Sequence, residues 1–295
     1  MDARKAMLIL HGKQALNDEV RAAVADLRER GWTLDVRLTW EGGDAERLVG
    51  EALQAGYDQV IAGGGDGTLR DVAEAMGLAN AKASLALLPL GTANDFAKAA
   101  GIPLEPAAAL ALLELPARPI DLGKVGGQMF LNMATGGFGS QVTASTSEDL
   151  KKVLGAAAYL FTGLSRFSEL QAASVELQGP NFHWQGELLA LGIGNGRQAG
   201  GGHVLCPDAV ADDGLLDIGI LPAPQEMVGA LRDLLAGEGL FVRARLPWVE
   251  IKSSQGLDIN LDGEPLQADS LRFEACPAAL RVHLPADSPL LSRPG

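Results

Sequence analysis

The chain has 295 residues, a formal net charge of −13, 47% hydrophobic residues and 21% charged ones. That length exceeds the usual single-domain size and predicts two domains, while the composition supports packed cores rather than disorder. The acidic balance excludes a nucleic-acid binder, which would carry a basic footprint, and leaves any contact with an anionic lipid surface to local or apolar features. Two cysteines, Cys206 and Cys276, make no disulfide framework and fit a reducing compartment. The Met7 to Leu10 run ends at His11-Gly12-Lys13, without the long apolar region and cleavage site of a signal peptide. No stretch approaches the ~20 apolar residues of a membrane span. A cytoplasmic protein without a transmembrane segment is expected.

In chain order, Ala6 to Leu10 reads as a buried strand, Asn17 to Arg30 as a helix stopped by Gly31, and Thr33 to Leu38 as an alternating strand. Thr39-Trp40-Glu41-Gly42-Gly43 reads as a loop, after which Asp44 is expected to cap a helix running to about Ala55. Val60-Ile61-Ala62 is a short buried strand that runs into Gly63-Gly64-Gly65-Asp66-Gly67-Thr68. Leu85 to Leu88 is another, followed by Pro89-Leu90-Gly91-Thr92-Ala93-Asn94-Asp95-Phe96. Strands alternating with helices predict an α/β domain with a parallel sheet over residues 1–125.

After Leu115-Pro116 the pattern changes to short alternating runs broken by Gly and Pro. These are Gln128 to Met133, Ser174 to Gln178, Glu187 to Ile193, Leu215 to Leu221, Val242 to Lys252, Leu257 to Leu261, Leu271 to Ala275 and Leu280 to Leu284. They predict a β-rich antiparallel sandwich over residues 126–295. Glu148 to Leu170 and Gln225 to Leu235 have helical spacing instead. The sequence leaves open whether the extreme C-terminus packs back on the first domain.

The glycine run is the richest chemical signal. Three glycines after a buried strand let the backbone approach a ligand closely, and N–H groups at a helix start point at whatever sits on the turn. A Walker loop is excluded because no Lys follows, and the dinucleotide fingerprint fails because its sixth position is Thr68. Both glycine turns read Gly-Thr-x-x-Asp, so Thr68 to Asp71 and Thr92 to Asp95 also have the spacing of a helix capping box. Capping alone leaves the triple glycine and the duplication unexplained. On neighbouring parallel strands both turns would open on one sheet edge, where ligands of such sheets bind. Asp66, Asp71 and Asp95 bring negative charge to that edge, which a polyphosphate tolerates best with a hard cation such as Mg²⁺.

GGGDGT together with PLGTANDFA resembles the nucleotide-binding signature of diacylglycerol-kinase-type lipid kinases. GGDG-type loops also occur in NAD kinases and phosphofructokinases, and the pairing with PLGTANDFA is the more specific feature. Asn132 to Gly139, Gly194 to Gly202 and Leu261 to Leu266 extend the resemblance over nearly the whole chain. It implies an NAD-kinase/diacylglycerol-kinase-like fold and transfer of the γ-phosphate of ATP to a hydroxyl of a diacylglycerol- or phosphatidylglycerol-like lipid at the membrane surface. Mg²⁺, or Ca²⁺, is the implied cation. Carried over residue by residue, it implies nucleotide contacts from Thr39, Gly65, Asp66, Gly67, Thr68, Leu69, Arg70, Asp71 and Thr92. Relatives commonly carry Asn-Glu where this chain has Arg70-Asp71, so the carboxylate is shortened and the contact made by the Asn does not transfer.

Two further motifs have a local and an inherited reading. Pro207 to Leu215 is locally an Asp-Gly turn. The resemblance implies a cation held there by the Asp213 side chain and the carbonyls of Val210 and Leu215. Leu261-Asp262-Gly263-Glu264-Pro265 is locally a hairpin turn, and the resemblance implies that Glu264 is the general base, flanked by Asn260 and Asp262. The stripe Leu150, Leu154, Ala157, Phe161 and Leu164 fits either a core face or lipid contact. The rival readings are an NAD kinase and a non-enzymatic nucleotide or lipid sensor on the same scaffold. The four scattered histidines offer no zinc site, and no serine-hydrolase elbow occurs.

Overall fold

A computed structural model describes residues 4–136, 173–199, 203–223 and 241–292. The helices expected at 148–170 and 225–235, with the apolar stripe on the first, lie outside the described residues. Strands β1 (Lys5–His11), β2 (Thr33–Thr39), β3 (Gln59–Gly64) and β4 (Ser84–Pro89) pair in parallel in the order β2-β1-β3-β4. β4 is buried at every position and β1 through its centre, as expected of strands covered on both faces. The helices are α1 (Asp18–Glu29), α2 (Asp44–Gln54), α3 (Asp66–Leu78), α4 (Asp95–Ala100) and α5 (Pro106–Ala111). Asn17 caps α1 by accepting from the N–H groups of Glu19 and Val20. Gly31, at φ 87°, takes the chain out of it.

The start of α2 differs from the expectation. Its N-cap is Gly43, left-handed at φ 85° and without a side-chain cap, so Asp44 is already helical. The Asp44 carboxylate instead reaches back to the N–H groups of Trp40 (2.7 Å) and Glu41 (3.1 Å) and pairs with Arg47. Arg47 and these two donors hold its carboxyl down at about 2. The loop after β2 is therefore tied in place by the helix that follows it.

The rest of the described chain is mainly strand: β5 (Arg118–Val125), β6 (Gln128–Phe130), β7 (Met133–Gly136), β8 (Ala173–Gly179), β9 (Phe182–Gly194), β10 (Gln198–Ala199), β11 (His203–Val204), β12 (Leu216–Pro222), β13 (Val242–Leu246), β14 (Trp248–Leu261) and β15 (Glu264–Val282). Their mutual pairings are antiparallel. Several boundaries differ from the sequence reading. The run at 128–133 breaks at Leu131-Asn132, and the run expected from Glu187 starts at Phe182. The run at 242–252 breaks at Pro247, and its second part joins the run at 257–261 in β14. The runs at 271–275 and 280–284 belong largely to one strand, β15, whose register shifts between Cys276 and Leu280. Ala278 there has φ 51°, and Asp121 accepts its N–H at 2.8 Å while also accepting that of Gly214 at 2.7 Å.

The two halves are joined by hydrogen bonds and by packing. β15 touches β4 in parallel at Val282 and Leu85, so a single path of pairings runs from β13 to β2. One core lies around the parallel strands and takes in Leu280, Val282, Leu284, Leu290 and Leu291 from the chain's end. The final described segment thus packs with the first half. A second core forms between the antiparallel strands, with Val175, Ile218, Val249, Ile251 and Phe273 at its centre. Among the described residues no helix is long and apolar enough to cross a membrane.

Candidate active site

The glycine turns after β3 and β4 lie side by side. Gly64 stands opposite Pro89, and the Leu90 N–H donates to the Gly64 carbonyl at 2.7 Å. A Cβ on Gly91 would sit 2.5 Å from the Gly65 Cα, and one on Gly64 would overlap the Thr68 side chain. Glycine is required because one turn rests on the other, backbone against backbone.

Neither turn is a capping box. α3 begins at Asp66, and its N-cap, Gly65, provides no side-chain acceptor, so Thr68 lies inside the first turn. The N-cap of α4 is Asn94 at φ 50°, whose Oδ1 accepts from the Gly91 N–H (2.9 Å) and whose Nδ2 donates to the Gly91 carbonyl (2.8 Å). Thr92 caps nothing. The N–H groups at the start of α3 consequently lack a side-chain cap, which leaves them available to an anion. Asp66 joins the two turns, since its Oδ1 accepts from the Phe96 N–H at 3.2 Å.

Onto this edge folds the β14–β15 hairpin. Asp262 and Gly263 form its tip at φ 46° and 106°, and the Gly263 N–H donates to Asn260 Oδ1 at 2.7 Å. Asp262 gives its carboxylate to three successive backbone N–H groups, those of Leu131 (2.7 Å), Asn132 (3.0 Å) and Met133 (2.7 Å). That grip coincides with the break between β6 and β7. Burial pushes the Asp262 carboxyl upward against the pull of these donors. Its role is to hold the hairpin in place.

Next to it, Glu264 reaches Arg70, the fifth residue of α3. Arg70 Nη1 donates to Glu264 Oε1 at 2.9 Å, while Nε and Nη2 donate to Asp71 Oδ1 at 3.0 and 2.5 Å. The Arg70 side chain is 14% exposed and that of Glu264 is 55% exposed. A cavity of about 1360 Å³ opens here, lined by Thr39, Thr68, Arg70, Asp71 and Glu264 together with Lys13, Trp40 and Glu74. A second cavity of about 300 Å³ is lined by Asp66, Leu69 and Arg70, and by Asp95, Asn132, Asn260 and Asp262. Gly65, Gly67 and Thr92 line neither cavity. Lys13 and Trp40 are cavity residues that sequence reasoning misses. Trp40, 93% exposed at the end of β2, carries the only signal, a large aromatic in a glycine loop.

Val210, Asp213 and Leu215 lie apart and line neither cavity. Asp213 Oδ1 accepts from the Leu215 N–H at 2.9 Å, and its other oxygen pairs with Arg245. Arg245 also approaches Asp217, whose Oδ2 is buried without a hydrogen-bond partner. Burial pushes the Asp217 carboxyl up to about 6 despite Arg245. No group of three or more His, Cys, Asp or Glu among the described residues is arranged to hold a metal ion.

Comparison with known proteins places both halves. Residues 5–125 match the diacylglycerol kinase catalytic domain, and residues 133–284 match the YegS C-terminal NAD kinase beta sandwich-like domain. A protein of Pseudomonas putida named "Probable lipid kinase YegS-like" is 82% identical over 295 residues, covering all of both chains. One of the same name from Pseudomonas aeruginosa PAO1 is 69% identical over 298 residues, covering 100% of this chain and 99% of that one. A solved structure of a diacylglycerol kinase from Bacillus anthracis str. Sterne shares the fold, with a TM-score of 0.74 at 21% identity over 97% of this chain and 98% of that chain.

Proposed function

The chain belongs to the family of YegS-like lipid kinases built on a diacylglycerol kinase catalytic domain, and on that premise we propose how its residues carry out the reaction. The protein is an ATP-dependent lipid kinase. The observation that carries the residue-level reading is the meeting of Glu264 with Arg70 near the start of α3, across 194 residues of chain. It puts a carboxylate beside the helix start that best suits a polyphosphate.

In this reading residues 1–125 supply the nucleotide side and residues 126–295 the lipid side. The phosphates of ATP lie on the paired turns, against the uncapped N–H groups of α3 and near Thr39, Thr68, Arg70 and Thr92. Gly65 and Gly67 let the backbone come close, Asp66 ties the turn to its neighbour through the Phe96 N–H, and Leu69 completes the nucleotide-contacting run. Glu264 accepts the proton of the lipid hydroxyl as that oxygen bonds to the γ-phosphorus. The bond from phosphorus to the bridging oxygen breaks, and ADP leaves with the electron pair. The acceptor is a diacylglycerol- or phosphatidylglycerol-like lipid met at the membrane surface by a cytoplasmic protein.

A divalent cation fits the nucleotide side. Asp71, Glu74 and Glu264 line the same cavity as Thr68, so ATP would meet carboxylates that two cations, Lys13 and Arg70, do not balance. Mg²⁺ held by Asp71 and the phosphates would supply that charge neutralisation. At Val210, Asp213 and Leu215 the fit is conditional. Arg245 already provides the countercharge to Asp213, so Mg²⁺ or Ca²⁺ would bind only with that guanidinium drawn aside.

The test is transfer of labelled phosphate from ATP to diacylglycerol, phosphatidylglycerol and NAD, each with and without Mg²⁺. Labelling of a lipid in the Mg²⁺ arm is expected. Labelling of NAD alone would move the activity to the NAD kinases.

A further inference from the structure

Arg70 is the residue common to the two cavities. It sits behind the glycine turn as the fifth residue of α3, and its side chain is largely buried. Two of its N–H groups are anchored on the neighbouring Asp71, and a third grips Glu264. The hairpin backbone also lies on it, since a Cβ on Gly263 would come within 3.7 Å of Nη1. A guanidinium has five N–H donors, so two remain for a further acceptor. Its planar fork suits phosphate oxygens. Among the described residues that line the two cavities, Arg70 is therefore the side chain placed to hold a carboxylate of the second half and a phosphate on the first half at the same time.

We propose that Arg70 sets Glu264 in place for the lipid hydroxyl while its remaining N–H groups take the nucleotide phosphates. The base and the phosphoryl donor are then spaced by a single rigid group. Asp71 belongs to the device because it fixes the guanidinium from the side away from Glu264. A lysine keeps the charge but has a point-like head, and it cannot hold Asp71, Glu264 and a phosphate in fixed mutual directions. This account rests on the reading of Glu264 as the base and adds the residue that positions it.

The experiment is a double-mutant cycle on the full chain with Arg70→Gln, Arg70→Lys, Glu264→Gln and the two double variants. Phosphate transfer from ATP to phosphatidylglycerol and to diacylglycerol is measured in mixed micelles, and ATP binding by calorimetry. Arg70→Gln is expected to lower kcat on the order of 10²-fold, the scale of a misplaced reacting group. In the Glu264→Gln background the same change should alter kcat by only about 3-fold, since little positioned base remains to lose. Arg70→Lys should follow Arg70→Gln in kcat while keeping most of the ATP affinity. It also serves where Arg70→Gln does not fold. An equal fold-loss with and without Glu264, or Arg70 variants whose kcat stays within a few-fold of the parent, overturns the inference. Glu264→Gln retaining full kcat sinks the base assignment itself and is read separately from those results.

Discussion

Asp262 holds a left-handed backbone conformation and gives both carboxylate oxygens to three consecutive N–H groups. Removing it leaves those donors without an acceptor where the β14–β15 hairpin meets the break between β6 and β7. Asp262→Ala should lower the unfolding free energy on the order of 3 kcal/mol, measured by urea titration; an unchanged midpoint and slope would mean that water replaces the carboxylate without loss. Asp66 should behave differently, because among the described residues it accepts a single N–H, that of Phe96 at 3.2 Å, and lines the smaller cavity beside Leu69 and Arg70. Asp66→Ala is expected to lose kinase activity with circular dichroism and melting nearly unchanged, and a fully active variant would reduce Asp66 to a turn residue. Asp217 gives a pH signature. Its folded carboxyl is raised to about 6 by burial, above an unfolded value of about 4. The group therefore favours the folded state below that unfolded value and loses its contribution as pH rises through about 6. The gap between the folded and unfolded values corresponds to roughly 3 kcal/mol. Asp217→Asn should flatten the stability profile across this window, and parallel profiles for the two proteins would contradict the assignment.

At the scale of elements, the paired glycine turns are the feature most exposed to a small change. Gly91→Ala places a methyl group against the Gly65 Cα, and overpacking of this kind costs about 1–3 kcal/mol. ATP affinity should fall with it as the turns separate. Calorimetry showing parental affinity would mean the turns do not need their close approach. How these elements could be read from sequence follows from the range of the forces that set them. α1 is legible because its cap Asn17 and its stop Gly31 are local. The glycine turn is legible because glycine reports backbone geometry directly. The capping boxes mislead because a cap depends on where the helix starts, and the extended Gly65 starts α3 two residues ahead of Thr68. β5 escapes the sequence reading because its partner is β15, with Val125 opposite Phe273, and Gly123 makes room for the Phe130 ring. Nothing in the spacing of Gly-Thr-x-x-Asp could show that Arg70 grips a glutamate 194 residues away.

Across the whole molecule, the chain's end ties the two halves together. Leu290 and Leu291 are buried in the core of the parallel strands, and Arg197 holds the Pro289 carbonyl at 2.6 Å. Leu290→Ala should cost about 2–5 kcal/mol, and calorimetric scans should keep one transition because both halves share this packing. Separate transitions would show halves that fold independently. The same joining brings Glu264 to the edge of the parallel sheet, where it is proposed to act as the base. The most direct test of that role is the kcat of Glu264→Gln for lipid phosphorylation, with ATP affinity measured alongside. The substitution keeps the size and most hydrogen bonding but cannot take a proton. A fall of roughly 10²–10⁴-fold in kcat with ATP affinity little changed is predicted. A kcat within a few-fold of the parent, with chemistry shown to limit the rate, would contradict it.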